Sequence, residues 1–198
     1  ISGVRITGPE ATVNPADQPA VAVSLTAPFA TALTGELSLS FTPDAANASD
    51  DASIQFATGG RTVSFTIPAN TTQARFSIPE MRFQTGTVAG VIRLEARLRA
   101  NGTDVTPNPI PSLETRVNRS APVIRNVAAS ATAGGFQVVI TGFSTPRALT
   151  QVNVRLVRWA GANLQTTPLT IARPAAARRA PSRRSSTAPR VHTSAGCT

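Results

Sequence analysis

The sequence predicts an all-β protein built as an antiparallel sandwich. Three observations carry that expectation. Apolar and polar residues alternate with period 2 through run after run, and side chains alternate faces along a strand. Turn residues punctuate the runs about every ten positions. Helix-favouring Lys is absent while Thr, Ser, Ala, Val and Pro abound, a balance that suits strands and turns. At 198 residues and 41% hydrophobic content, the chain has room for one or two domains with a core.

The clearest run is Ser53–Ile78. Ile54 and Phe56, then Val63, Phe65 and Ile67, then Ala74, Phe76 and Ile78 share one face of three short segments. Thr58-Gly59-Gly60-Arg61 and Pro68-Ala69-Asn70-Thr71 separate them, so a three-stranded meander is expected. One greasy face needs a facing sheet, and 21–27, 36–42 and 88–99 are the candidates. Before the meander, Val4 and Ile6 mark a strand closed by Gly8-Pro9. Val21, Val23 and Leu25 mark another. Thr34-Gly35 is expected to turn the chain into Glu36–Thr42, where Leu37, Leu39 and Phe41 alternate.

After an irregular 79–87, Val88–Arg99 is the longest strand candidate. Ile92, Leu94, Ala96 and Leu98 face inward and Arg93, Glu95, Arg97 and Arg99 outward. Asn101-Gly102 is a hairpin turn, and Leu113, Thr115 and Val117 form a last strand. That is about eight strands over residues 1–119, at the spacing of a sandwich. Ser120-Ala121-Pro122 reads as a linker. Residues 120–172 hold four more strand patterns, Val123–Ala128, Phe136–Ile140, Gln151–Trp159 and Pro168–Ile171, half of what a sandwich needs. This second module is therefore expected to be incomplete, with unpaired strand edges that favour self-association.

Residues 173–198 lack apolar periodicity and are rich in Arg, Ala, Pro and Ser. They are expected to be disordered. Two readings stand: a basic tail that binds polyanions, or a segment foreign to the fold through a shift of reading frame. The net charge of +9 belongs to this end. All nineteen basic residues are Arg; nine face ten acids within 1–120, four lie in 121–172 and six in 173–198, with no acid after 120. A strongly basic balance points to nucleic acid, but the first domain is near neutral, so no specific nucleic-acid partner is expected.

The matching text LTGELSLSFTPDA, SIQFATGGRTVSFTIPANTTQARFSI and GTVAGVIRLEARLRANGTDVTP resembles bacterial Ig-like or fibronectin-III-like repeats of secreted and cell-surface proteins. SAPVIRNVAASATAGGFQVVITGFSTPRALTQ is similar to the start of a following module. The resemblance spans about residues 1–172. It implies an Ig-like sandwich followed by a partial second one, and a structural or adhesive spacer strung between neighbouring domains of a longer chain. It brings no catalytic residues. A second resemblance, to Calx-β-like sandwiches, shares the strand, Gly-containing turn, strand pattern, but the calcium-binding acids of that family have no clear counterparts.

Few residues offer chemistry. Asp44, Asp50 and Asp51 share one loop and are candidate ligands for Ca²⁺, which takes six to eight oxygens; Asp is equally an ordinary turn residue. The alternative function is accordingly a binding module, for calcium there or for polyanions through the basic end. Asn47, Asn70, Asn101 and Asn118 open N-x-S/T sequons, which Thr/Ser-rich β proteins generate by chance. His192 and Cys197 are the single His and Cys, and both lie at the end of the chain, so no Ser-His-Asp or Cys-His constellation is expected. The ten acids show no glycosidase pair, and one Trp with no Tyr leaves little for stacking on sugars. No enzyme and no cofactor are expected. The sequence shows no signal peptide and no apolar run long enough to span a membrane; a secreted or surface location follows from the resemblance alone. The outward Arg93, Arg97 and Arg99, with Arg75, form a basic strip interrupted by Glu95, expected to be a salt-bridged solvent face.

Overall fold

Alternation over eleven residues lets a strand bury one face, and the two longest such strands sit side by side in the middle of one sheet. The structure is a computed structural model that describes residues 1, 3–44, 50–147, 149, 151–155, 168–172 and 191–193. In chain order the strands are β1 (Val4–Thr7), β2 (Thr12–Val13), β3 (Ala22–Leu25), β4 (Leu33–Pro43), β5 (Gln55–Phe56), β6 (Thr62–Ile67), β7 (Phe83–Gln84) and β8 (Gly90–Ala100). They continue with β9 (Thr103–Asp104), β10 (Ser112–Val117), β11 (Val123–Thr132), β12 (Gly135–Phe143), β13 (Gln151–Arg155), β14 (Pro168–Ala172) and β15 (Val191–Thr193). Among the described residues there is no helix. The chain divides into two compact units, the second beginning at Pro122.

In the first unit one sheet runs β2-β10-β8-β4-β6, with β9 on β8. β4 and β8 pair antiparallel from Leu33↔Ala100 to Pro43↔Gly90. The facing layer contains β1-β3 and β5-β7. It is extended along the free side of β3, where Leu25 N–H donates to Thr72 O, Ala74 N–H to Val23 O and Val21 N–H to Met81 O, at 2.8 to 2.9 Å. Ile6, Val23 and Leu25 from this layer meet Leu37, Phe65, Ile92, Leu94 and Leu98 from the other in one buried cluster. The fold is thus all-β, two layers around a single core, as the alternation predicts.

Three expectations are corrected. The Ser53–Ile78 meander does not form. β5 pairs with β7 in the second layer and β6 pairs with β4 in the first. The third run makes only isolated bridges, Ser24↔Gln73 and Thr66↔Arg75. The chain rounds a corner at Gly59-Gly60, both at positive φ, where Phe56 N–H donates to Gly60 O at 2.8 Å. Period 2 states which face a residue takes, and it is right for Ile54, Phe56, Val63, Phe65 and Ile67, all buried. It does not state which strand lies alongside. In consequence the facing partners also change: β4 and β8 lie in the same sheet as β6, and β3 opposes them.

The second correction concerns Gly35, expected in a turn and found inside β4. A Cβ there would lie 2.2 Å from Cζ of Phe65 and 2.8 Å from the Arg97 carbonyl. The absent side chain leaves room for the ring. By contrast Asn101-Gly102 turns the chain as expected between β8 and β9, with φ of 49° and 82°, the double positive φ of a two-residue hairpin.

In the second unit β11 and β12 form a hairpin across Ala133-Gly134, with a register shift between Ile124 and Asn126. β13 and β14 pair from Gln151↔Ala172 to Arg155↔Pro168. The third correction lies here. Within 173–198, expected to be without structure, Val191–Thr193 runs parallel to β12, with Val138↔Val191 and Ile140↔Thr193 in register. A strand edge recruits any extended backbone through its free N–H and C=O groups, so no side-chain pattern announces such a pairing. The rest of 173–198 lies outside the described residues, as does Trp159.

Candidate functional site

The three loop aspartates end in three different settings. Asp44 follows β4 directly, and its carboxylate accepts from Nη2 of Arg116 at 2.6 and 2.7 Å and from Nε of Arg119 at 3.4 Å. Asp50 is exposed and accepts from Nη2 of Arg61 at 2.8 Å. The Arg61 guanidinium holds the Asp50 carboxyl below the usual carboxylate range. Residues 45–49, including the sequon residue Asn47, lie outside the described residues.

Asp51 is the unusual one, with 3% exposure. Oδ1 accepts from the Ser53 N–H at 3.1 Å and its hydroxyl at 2.6 Å. Oδ2 accepts from the Thr87 N–H at 2.6 Å, the Thr87 hydroxyl at 3.2 Å and the Val88 N–H at 3.1 Å. Burial pushes its pKa up. The hydrogen bonds from the Ser53 hydroxyl, the Thr87 N–H and the Ser53 N–H outweigh burial, and the net shift is downward. Gly86, at φ +74°, lets the 86–88 backbone approach: a Cβ there would stand 2.6 Å from Asp51 Oδ2. Arg61 closes the loop from the other side, donating to the carbonyls of Ile54 at 3.1 Å and Asp51 at 2.7 Å.

The aspartates therefore act as fasteners. Asp51 ties the loop after β4 to the segment entering β8, and Asp44 ties the end of β4 to the end of β10. Among the described residues no group of three His, Cys, Asp or Glu stands together in a way that could hold a metal ion. No buried side-chain nitrogen or oxygen among them lacks a hydrogen-bond partner.

The basic strip separates into two parts. Arg93 lies in a salt-bridged face, with Nε 2.8 Å from Glu95 Oε1 and Nη1 2.8 Å from Glu114 Oε1. Arg97, Arg99 and Arg75 line an open concavity of about 670 Å³ on the outer face of β6, β4, β8 and β9. Glu36 and Asp104 share that concavity with the hydroxyls of Thr34, Ser64 and Thr66. The sequence pattern puts Arg97 and Arg99 on the outer face. It gives no sign that Arg75, Thr34 and Asp104 join them, because that requires the registers Thr66↔Arg75, Thr34↔Arg99 and Arg99↔Asp104.

No family model matches the chain, and no curated protein matches it. Among solved structures it is similar to a class 5 fimbriae chaperone, at 11% sequence identity and a TM-score of 0.34, over 85% of this chain and 79% of that one. Among the described residues no helix is long and apolar enough to cross a membrane.

Proposed function

We propose that the chain is a non-catalytic structural and adhesive spacer, an Ig-like module and part of a second, in a larger bacterial extracellular or surface protein. Its partners in this reading are the neighbouring domains of the same longer chain. The bacterial and surface setting rests on the resemblance of residues 1–172 to such repeats.

The observation that supports a spacer is the pairing of β2, near the start of the first unit, with β10, its last strand. β2 and β10 run parallel, Thr12↔Arg116 and Val13↔Val117. Arg116 N–H donates to Ala11 O at 2.9 Å and Asn118 N–H to Val13 O at 3.2 Å, and the Thr115 hydroxyl donates to Glu10 O at 2.8 Å. Because the strands are parallel, the chain enters β2 at one end of the pair and leaves β10 at the other. Tension applied just before β2 and just after β10 then loads these bonds in shear, so they must break together. Pulling both strands from the same end would open them one at a time.

Single-molecule stretching of the full chain tests this with one handle fixed at Glu10. With the second handle at Ala121 the pair is sheared; with it at Glu114 the pair is unzipped. The expected result is a distinctly higher opening force for the Ala121 handle. Equal forces, or a lower force for Ala121, overturn the spacer reading.

A further inference from the structure

Of the nine arginines in the first unit, eight fall into two groups; Arg5, on β1, makes no ion pair among the described residues and lies outside the concavity. Arg61, Arg82, Arg93, Arg116 and Arg119 each hold a carboxylate. Arg75, Arg97 and Arg99 hold none among the described residues, and all three line the concavity on the outer sheet face. Two carboxylates share that concavity, yet neither forms an ion pair with these guanidiniums among the described residues, although Arg99 and Arg97 act on the Asp104 carboxylate through space. Asp104 accepts the Thr106 N–H at 2.8 Å within its own hairpin. Glu36, opposite Arg97 in register, makes no ion pair among the described residues. Three positive charges against two negative leave a local excess in a unit that is otherwise near neutral.

The spacing is that of a multivalent site. The Cα atoms of Arg97 and Arg99 are roughly 7 Å apart along β8, and Arg75 lies three strand steps, roughly 14 Å, from Arg99. Thr34, Ser64 and Thr66 line the concavity between them. A guanidinium presents a planar fork that grips carboxylate or sulfate oxygens bidentately, and hydroxyls suit the alcohol groups of a sugar. We propose that this concavity binds an acidic polysaccharide, with Arg75, Arg97 and Arg99 on its carboxylate or sulfate groups and Thr34, Ser64 and Thr66 on its hydroxyls.

Two other polyanions fit less well. An acidic peptide recognised by strand addition needs a free sheet edge. The edge of β6 beside the concavity is already taken, since Thr66 and Arg75 exchange N–H···O bonds of 3.0 and 2.7 Å. Single-stranded nucleic acid relies on exposed aromatic rings for stacking, and the one ring partly exposed on the rim, Phe76, packs against Phe65 at 5.6 Å between centroids.

The test is calorimetric titration of the full chain in 0.15 M salt with four probes: a sulfated heparin octasaccharide, an oligogalacturonate that carries only carboxylates, neutral dextran, and a single-stranded oligonucleotide. Heparin against oligogalacturonate separates the two anion sources, and binding of either supports the site. The variant R97Q/R99Q is expected to weaken binding roughly tenfold or more, the loss of charge-assisted contacts. R93Q removes the same kind of charge from the neighbouring salt-bridged face and is expected to leave binding within about twofold. All three residues carry exposed side chains, and unchanged thermal melts show that the variants fold. Neither acidic oligosaccharide binding overturns the proposal. So does equal loss in R93Q and R97Q/R99Q, or oligonucleotide binding at least as tight as that of both sugars, since any of these assigns the affinity to charge alone, including the basic residues after 120.

Discussion

β8 and β11 are both long strands that carry large apolar residues, and they meet different fates. Ile92, Leu94, Ala96 and Leu98 alternate along β8, and each is 0% exposed. Ile124 and Val127 lie on β11, a strand of ten residues, and are 63% and 56% exposed. Alternation licenses a strand, but a second layer is what removes it from water. In the first unit β1, β3 and the 72–83 segment supply that layer. β11 is exposed along its whole length, and its partner β12 is at best half-buried.

The largest expected effect turns that difference into energy. Leu98→Ala leaves a cavity between two packed layers and should cost about 2–5 kcal/mol. Val127→Ala removes methyl groups that already face water and should change stability by less than about 0.5 kcal/mol. Scanning calorimetry of the full chain with each variant checks both. Comparable losses would mean that β11 is covered after all, and the contrast between the two units would fall.

The polar counterpart is Asp51, whose carboxylate joins the loop after β4 to the start of β8. Asp51→Asn keeps the shape but replaces one accepting oxygen with an NH2 that cannot accept from the N–H groups facing it, and removes the charge from the bonds that remain, at an expected cost of about 1.5–3 kcal/mol. The folded pKa lies below the unfolded carboxylate value, about 3.9. The stabilisation is therefore complete above that value and is lost as pH falls through the lower, folded one. As pH falls below about 4 the native chain should lose stability more steeply than Asp51→Asn, measured by denaturant melts followed by circular dichroism. Parallel pH profiles would remove Asp51 from the account of what holds the first unit. No acid follows residue 120, so the second unit has no carboxylate side chain to use this way.

What the sequence made legible was the side each residue takes. Val23, Leu37, Val63, Phe65, Leu94 and Val117 are inward as the period requires. Neighbourhood was not legible, because hydrogen bonds along a strand are made by backbone that every residue carries. Hence β5 joins β7 instead of β6, β2 adds to β10 from a stretch with only one buried apolar residue, and β15 pairs with β12. The candidate sites follow the same division. Asp44, Asp50 and Asp51 are adjacent along the chain, yet Arg116, Arg61 and the Thr87 amide draw them to separate tasks. Arg75, Arg97 and Arg99 share a concavity only through the registers that place β6 and β8 on either side of β4.

Glycine gives the finest version of the comparison. Gly35 and Gly134 both read as turn residues. Gly134 is one, in the β11–β12 hairpin, and a Cβ on it would meet nothing within 4 Å. Gly35 lies within β4, where a Cβ would strike both the Phe65 ring and the Arg97 carbonyl. The carbonyl belongs to the β4–β8 ladder and is fixed. The ring can move only by giving up its place in the core and its tilted contact with Phe76. Gly35→Ala is therefore expected to cost about 1–3 kcal/mol as overpacking, and Gly134→Ala less than about 0.5 kcal/mol as a surface change. Adding Phe65→Leu, which vacates the ring's end, should recover part of the first loss. A double variant no more stable than the sum of the two single changes would show that backbone strain, and not the ring, sets the requirement for glycine.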